Sequence, residues 1–84
     1  MSPEQRQRRA AEAERIMAEP LLMEAFAQLD RELVNAWRHA EDAEQRERLW
    51  HAQDAVTRLR AALQSWMTDG RIATAEIART RMAA

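Results

Sequence analysis

Cysteine, lysine and tyrosine are missing from the sequence, and glycine occurs only once among its 84 residues. Without cysteine the chain forms no disulfide bond and no thiolate metal site. A single glycine excludes the glycine-rich loops that hold phosphate groups. No apolar run approaches the roughly 18 residues of a membrane span, and residues 1–20 lack the apolar segment of a signal peptide. We therefore expect a cytoplasmic protein without a membrane segment.

The residues that are present favour helices. Alanine, leucine, glutamate, glutamine and arginine dominate, and β-branched residues are scarce. All 13 basic residues are arginine, a usage that a GC-rich genome produces without any functional reason. This composition predicts an all-α protein, with residues 1–84 forming a single small domain.

The longest uninterrupted helix signal lies in residues 42–67, and neither glycine nor proline occurs between Asp42 and Asp69. Its apolar residues advance by steps of three and four: Leu49, Ala52, Val56, Leu59, Leu63 and Trp66. This is the a/d spacing of a coiled-coil heptad, which needs a partner helix in the same chain or in another copy. Gly70 then predicts the end of this helix.

A second stretch, residues 20–40, has matching spacing. Its seam residues are Leu22, Phe26, Leu29, Leu33, Ala36 and Ala40. Pro20 separates this helix from the one before it, because the residue preceding a proline is driven out of helical geometry. The connection to the next helix is so short that the two must be antiparallel neighbours. We therefore predict a helical hairpin of residues 20–40 and 43–69.

Two shorter helices flank the hairpin in this interpretation. Ser2 and Gln5 form a capping box with Pro3 at the first helical position, which predicts a helix over residues 3–18. Residues 71–82 form a C-terminal helix after Gly70. Both are too short to be stable alone, so we expect them to pack as part of a bundle or an oligomer.

No residue pattern indicates catalysis. His39 and His51 lack the spacing of metal ligands, the carboxylates lack an apolar pocket, and neither serine has a histidine–acid pair. We therefore predict a protein that is not an enzyme and has no cofactor, no metal and no small-molecule substrate.

The three tryptophans are the best candidates for a binding role. Trp66 falls on the heptad seam and is predicted to lie in the core. Trp37 and Trp50 fall one position off their seams, so they either flank the core or form an exposed pair. Tryptophan is enriched at binding hot spots, and we assign Trp37 and Trp50 to a candidate protein-binding site, for a protein partner or a second copy.

An alternative site follows from the charges. The net charge is −1, yet both ends of the sequence are basic and its middle is acidic. Basic ends either contact nucleic acid or are solvated helix ends. The residues that would contact nucleic acid are Arg6, Arg8, Arg9, Arg79 and Arg81.

A resemblance supports an assembly role. The apolar spacings over about residues 15–75 are Pro20-Leu21-Leu22, Ala25-Phe26, Arg48-Leu49-Trp50 and Leu63 before Gly70. In these the chain resembles short helical proteins encoded in tailed-phage and prophage genomes, some of them near head-assembly genes. The resemblance implies a non-enzymatic part in a virion as a head, scaffold or decoration component, in the host cytoplasm or the virion. The alternatives are a DNA-contacting regulatory protein and an inhibitor of a host enzyme.

Overall fold

Three α-helices make up the computed structural model, which describes residues 1–83. They are α1 (Pro3–Met17), α2 (Pro20–Arg38) and α3 (Ala43–Ala83). The described residues include no strand, and the all-α prediction is confirmed. None of the three helices is long and apolar enough to cross a membrane.

The predicted helix starts follow from local capping. The Ser2 hydroxyl accepts the Gln5 backbone N–H at 3.1 Å, and the Gln5 side chain accepts the Ser2 N–H at 2.8 Å. Before α3, Asp42 accepts the Gln45 N–H at 2.8 Å. The Gln45 side chain accepts the N–H of Glu41 at 2.9 Å, whereas in a capping box it would accept the N–H of Asp42 itself. Each cap satisfies N–H groups that lack partners within their helix.

The break predicted at Gly70 is wrong. Residues 71–82 are helical as expected, but they continue the helix that begins at Ala43. Gly70 is buried and does not adopt positive φ, so it does not end a helix. A Cβ at Gly70 would overlap the Cβ of Ala10. The glycine is therefore required by the close approach of α1 and not by a turn.

The chain divides into two compact units, and α3 contributes to both. Unit 1 combines residues 1–18 with the part of α3 from Ala61 onward, and unit 2 is Glu19–Arg60. The sequence predicts one domain. The division into two compact units does not test that prediction.

Unit 2 is the antiparallel hairpin of α2 with the first part of α3. Phe26 is its buried large side chain. The guanidinium of Arg60 lies 4.6 Å from the centre of the Phe26 ring and donates to Asp30 at 2.7 Å. These contacts join the middle of α2 to α3.

The buried face of α3 departs from the predicted seam. Leu59 is 54% exposed and Trp66 is exposed as well, so the prediction of a core Trp66 is wrong. Arg60 and Met67 are half-buried instead. A straight α-helix returns to one face after about 11 and about 18 residues, which are three and five turns. Counted from Leu49, those steps reach Arg60 and Met67, not Leu59 and Trp66.

Unit 1 packs α1 against the second part of α3 through small residues. Its buried side chains are those of Ala13, Leu63 and Ala73. With Gly70 against Ala10, these residues let the two helix backbones approach closely. Such a contact buries little apolar volume, so polar interactions at its edges have a larger share in holding α1.

Candidate protein-binding face

Trp37 and Trp50 are both at the surface of unit 2. Trp37 is 45% exposed and Trp50 is 56% exposed. Tryptophan buries more apolar surface than most residues when it is part of a core. With about half of each residue exposed, Trp37 and Trp50 lie at the surface. This agrees with the interpretation of the two as an exposed pair.

Local structure at the hairpin end positions the two indoles. Trp37 lies in the last turn of α2, whose C-cap is His39. The ring Nδ1 of His39 is 2.8 Å from the carbonyl oxygen of Asn35, and Asp42 caps α3 on the other side of the connection. The Trp50 ring meets the His51 ring edge-on, with centroids 5.1 Å apart. The two caps define the ends of the helices that carry the tryptophans.

Two surface grooves meet at the tryptophans. One has a volume of about 300 Å³, and its lining residues are Val34, Trp37, Arg38, Trp50 and Gln53. The other has a volume of about 480 Å³, and its lining residues are Trp37, Ala43, Arg46, Glu47, Trp50 and His51. Both tryptophans line both grooves. We call Val34, Trp37, Trp50 and Gln53 the tryptophan face.

Arginines border this face. Arg38 lines the first groove and Arg46 the second, while Arg31 lines an adjoining depression with Val34 and Arg38. All three side chains are exposed. The composition is that of a binding hot spot, with aromatic residues at the centre and charged residues around them. We call Arg31, Arg38 and Arg46 the arginine rim.

The alternative nucleic-acid site is partly engaged in structural contacts within unit 1. Arg6 donates to Asp69 at 2.7 Å and to Glu76 at 2.8 Å. Arg9 donates to Asp69 at 3.2 Å, and its guanidinium lies 5.2 Å from the Trp66 ring centre. These two of the five predicted arginines hold α1 to α3.

The remaining three of these arginines, Arg8, Arg79 and Arg81, are exposed. They belong to unit 1, and the tryptophan face belongs to unit 2. The nucleic-acid role of the five arginines stays a prediction.

Arg6, Arg9, Asp69 and Glu76 form an ion-pair cluster, and the pKa values of Arg6 and Asp69 in it are shifted. Hydrogen bonds from Arg6 lower the pKa of the Asp69 carboxyl below its ordinary value, against the opposite effect of partial burial. Hydrogen bonds to Asp69 and Glu76 raise the pKa of Arg6. Both shifts favour the charged forms, so Arg6 and Asp69 stay ionised near neutral pH.

Sequence reasoning missed this cluster because it placed a helix end at Gly70. In a continuous helix, Asp69 and Glu76 are seven residues apart and lie on one face after about two turns. Arg6 and Arg9 are three residues apart and share a face of α1. The seven-residue spacing of the two acidic residues and the three-residue spacing of the two arginines were the sequence signal for this cluster.

The two histidines do not form a metal site with neighbouring acids. Within residues 1–83, no group of three or more histidine, aspartate or glutamate side chains is placed to hold a metal ion. His51 lies 3.9 Å from Glu47 on the same helix, and His39 contacts a backbone carbonyl.

Comparisons with protein families, curated proteins and solved structures give no match. The geometry of the chain itself is therefore the basis for assigning a role to the tryptophan face.

Proposed function

We propose that the protein is a small helical interaction module that binds another protein through the tryptophan face. The observation that supports this role is the exposure of Trp37 and Trp50 next to each other on α2 and α3. Val34, also exposed, extends the apolar surface along α2. Exposed apolar patches bordered by polar residues mark interaction sites.

Burial of the two exposed tryptophans would supply the binding energy of a hot spot, although not that of a whole interface. With Trp37 45% and Trp50 56% exposed, the two side chains leave about 200 Å² to be buried. At about 25 cal/mol per Å², that burial contributes about 5 kcal/mol. Since association itself costs at least about 4 kcal/mol, the tryptophans need contributions from their surroundings. The grooves and the arginine rim are placed to supply them.

A setting in virion assembly agrees with the resemblance to short helical phage proteins. Assembly components act through helix-face contacts and need no catalytic group, and the tryptophan face supplies such a contact. We propose this setting as the context of the binding role. We expect the protein to be isolated together with assembled particles. The amount recovered should fall when Trp37 and Trp50 are replaced by alanine.

Site-specific photo-crosslinking tests the binding role. A photoreactive phenylalanine analogue replaces Gln53, which lines a groove beside Trp50 without belonging to the core. After irradiation in the cells that make the protein, we expect one predominant crosslinked protein, identified by mass spectrometry. The crosslink should disappear when Trp37 and Trp50 are both alanine.

The matched control places the same analogue at Gln28, another exposed glutamine of unit 2. Gln28 does not line the grooves at the tryptophans, so it should give no crosslink to that protein. Equal crosslinking from both positions, or a crosslink that survives the double alanine variant, would contradict binding at the tryptophan face.

A further inference from the structure

The charges around the tryptophan face are unequally neutralised. Carboxylates near the face already have partners: Asp30 accepts from Arg60 at 2.7 Å, and Asp54 accepts from Arg58 at 2.9 Å. Glu47 lines the second groove and lies 3.9 Å from His51, which neutralises it only when the histidine is protonated. The three arginines of the rim, in contrast, pair with no carboxylate of the described residues. With three arginines that lack a carboxylate partner among residues 1–83, against the single carboxylate Glu47 in the grooves, the face presents net positive charge to an incoming partner.

This distribution disfavours a second copy as the occupant. In a two-fold symmetric dimer the same patch appears on both sides of the interface. Pairing the tryptophan face with itself would bring one arginine rim against the other, and juxtaposed like charges oppose association. A partner with carboxylates around an apolar centre fits instead.

The secondary structure of the face indicates the form of the partner. α2 and α3 are antiparallel neighbours, and the described residues have no sheet edge to which an extended peptide would add. A third helix lying along two antiparallel helices is the packing that bundles use. Its apolar residues, spaced by three and four, would enter the two grooves beside the indoles.

We propose that the tryptophan face binds an acidic amphipathic helix of a partner protein. Leucine-like or aromatic side chains of that helix occupy the grooves, and its flanking carboxylates pair with Arg31, Arg38 and Arg46. This inference rests on the proposed binding role and specifies the chemistry of the partner.

A nucleic-acid strand is the less favoured occupant. Aromatic side chains and arginines also bind single strands by stacking and by phosphate contacts. However, residues 19–60 contain six arginines and nine acidic residues, a difference of −3 for unit 2. Such a unit repels an extended polyanion, whereas a short acidic helix meets only the arginine rim.

The test titrates designed peptides into the full-length chain. Trp66→Phe leaves Trp37 and Trp50 as the fluorescent reporters, because the chain has three tryptophans. The probe is a helical peptide of about 18 residues, or five turns, with leucines spaced by three and four and glutamates beside them. The control peptide has lysine at every glutamate position, and an oligothymidylate of similar length is the third probe.

We expect the acidic peptide to bind about tenfold more tightly than the basic one, as three rim ion pairs allow. Added salt should reduce that preference. Replacing all three rim arginines by glutamate should reverse it. Replacing Arg8, Arg71 and Arg79, exposed arginines of unit 1, by glutamate should leave it unchanged.

The outcomes separate the inference from the binding role. Equal binding of both peptides, lost when Trp37 and Trp50 are alanine, contradicts the acidic partner and leaves the binding role standing. Binding of the oligothymidylate in preference to either peptide overturns the acidic helix in favour of nucleic acid. If neither peptide binds, the acidic helix is overturned, and the crosslinking at Gln53 decides the binding role independently.

Discussion

At the scale of single residues, Gly70 has a packing role that its residue type alone does not reveal. Glycine is the commonest residue after the end of a helix, and the same residue lets two helices approach closely when its missing Cβ faces a neighbour. The structure shows the second use, with Ala10 directly against the α-carbon of Gly70. Only the position of α1 distinguishes a glycine that ends a helix from one that lets two helices approach.

Gly70→Ala should therefore destabilise the protein. Alanine favours the helix over glycine by about 1 kcal/mol, but forcing a methyl group into a packed contact costs about 1–3 kcal/mol. We expect a lower melting temperature by circular dichroism. Ala10→Gly removes the overlapping group, so the double variant should recover part of the loss. A Gly70→Ala variant more stable than the wild type would contradict the close packing of α1.

Asp69 gives the contact between α1 and α3 a defined pH dependence. Because the pKa of Asp69 is lowered in the folded protein, its ionised form stabilises the fold at pH values above the ordinary carboxyl pKa of about 3.9. That stabilisation is lost as the pH falls through the lower folded value. Asp69→Asn removes it at every pH.

We expect the difference in melting temperature between the wild type and Asp69→Asn to be largest near neutral pH and to shrink in acid. Thermal melts over a pH series measure it. Asp54→Asn, which breaks the ion pair with the largely exposed Arg58 in the same helix, is the matched control and should change the melting temperature little. A difference for Asp69→Asn that stays constant from neutral pH into acid would contradict the role of Asp69.

At the scale of helices, two leucines of α3 distinguish the observed face from a strict heptad. Leu63 is 7% exposed, whereas Leu59 is 54% exposed. Truncation of a buried leucine costs about 2–5 kcal/mol, and truncation of an exposed one costs much less. We expect Leu63→Ala to lower the free energy of unfolding in urea strongly and Leu59→Ala to lower it by less than about 1 kcal/mol. Equal losses of unfolding free energy in the two variants would indicate that both leucines are buried, as the heptad spacing predicts.

Much of the helical structure was predictable because its signals are local. The start of α1 follows from Ser2 and Gln5, the separation of α1 from α2 follows from Pro20, and the start of α3 follows from Asp42. Each depends on residues within one turn of one another. Local signals do not predict the buried face of α3, because a small error in the assumed helical period grows along its 41 residues.

The candidate site was predictable only in part. Trp37 and Trp50 stand one position off their seams, and that offset predicts a flank of the hairpin without deciding between burial and exposure. The structure shows both indoles exposed. The engagement of Arg6 and Arg9 depends on residues more than 50 positions away, and no local pattern indicates such a contact.

At the scale of the whole molecule, the residues that stabilise the fold differ from those proposed to bind a partner. The helices are held by buried apolar residues such as Phe26 and Leu63, by the close contact at Gly70, and by charge pairs such as that of Arg60 with Asp30. The largest exposed aromatic pair lies elsewhere, in unit 2, and is not needed to fill a core. Loss of the tryptophans should therefore affect binding far more than folding.

The most direct test measures the Trp37→Ala, Trp50→Ala double variant with the protein captured by crosslinking at Gln53. Isothermal titration calorimetry gives the affinity, and circular dichroism gives the fold of the same sample. We expect helical content and most of the melting temperature to be kept, with binding weakened at least about 30-fold, as for hot-spot residues. Leu59→Ala, at another exposed apolar position of unit 2, should bind like the wild type. An unfolded double variant, or a folded one that binds normally, would contradict the account.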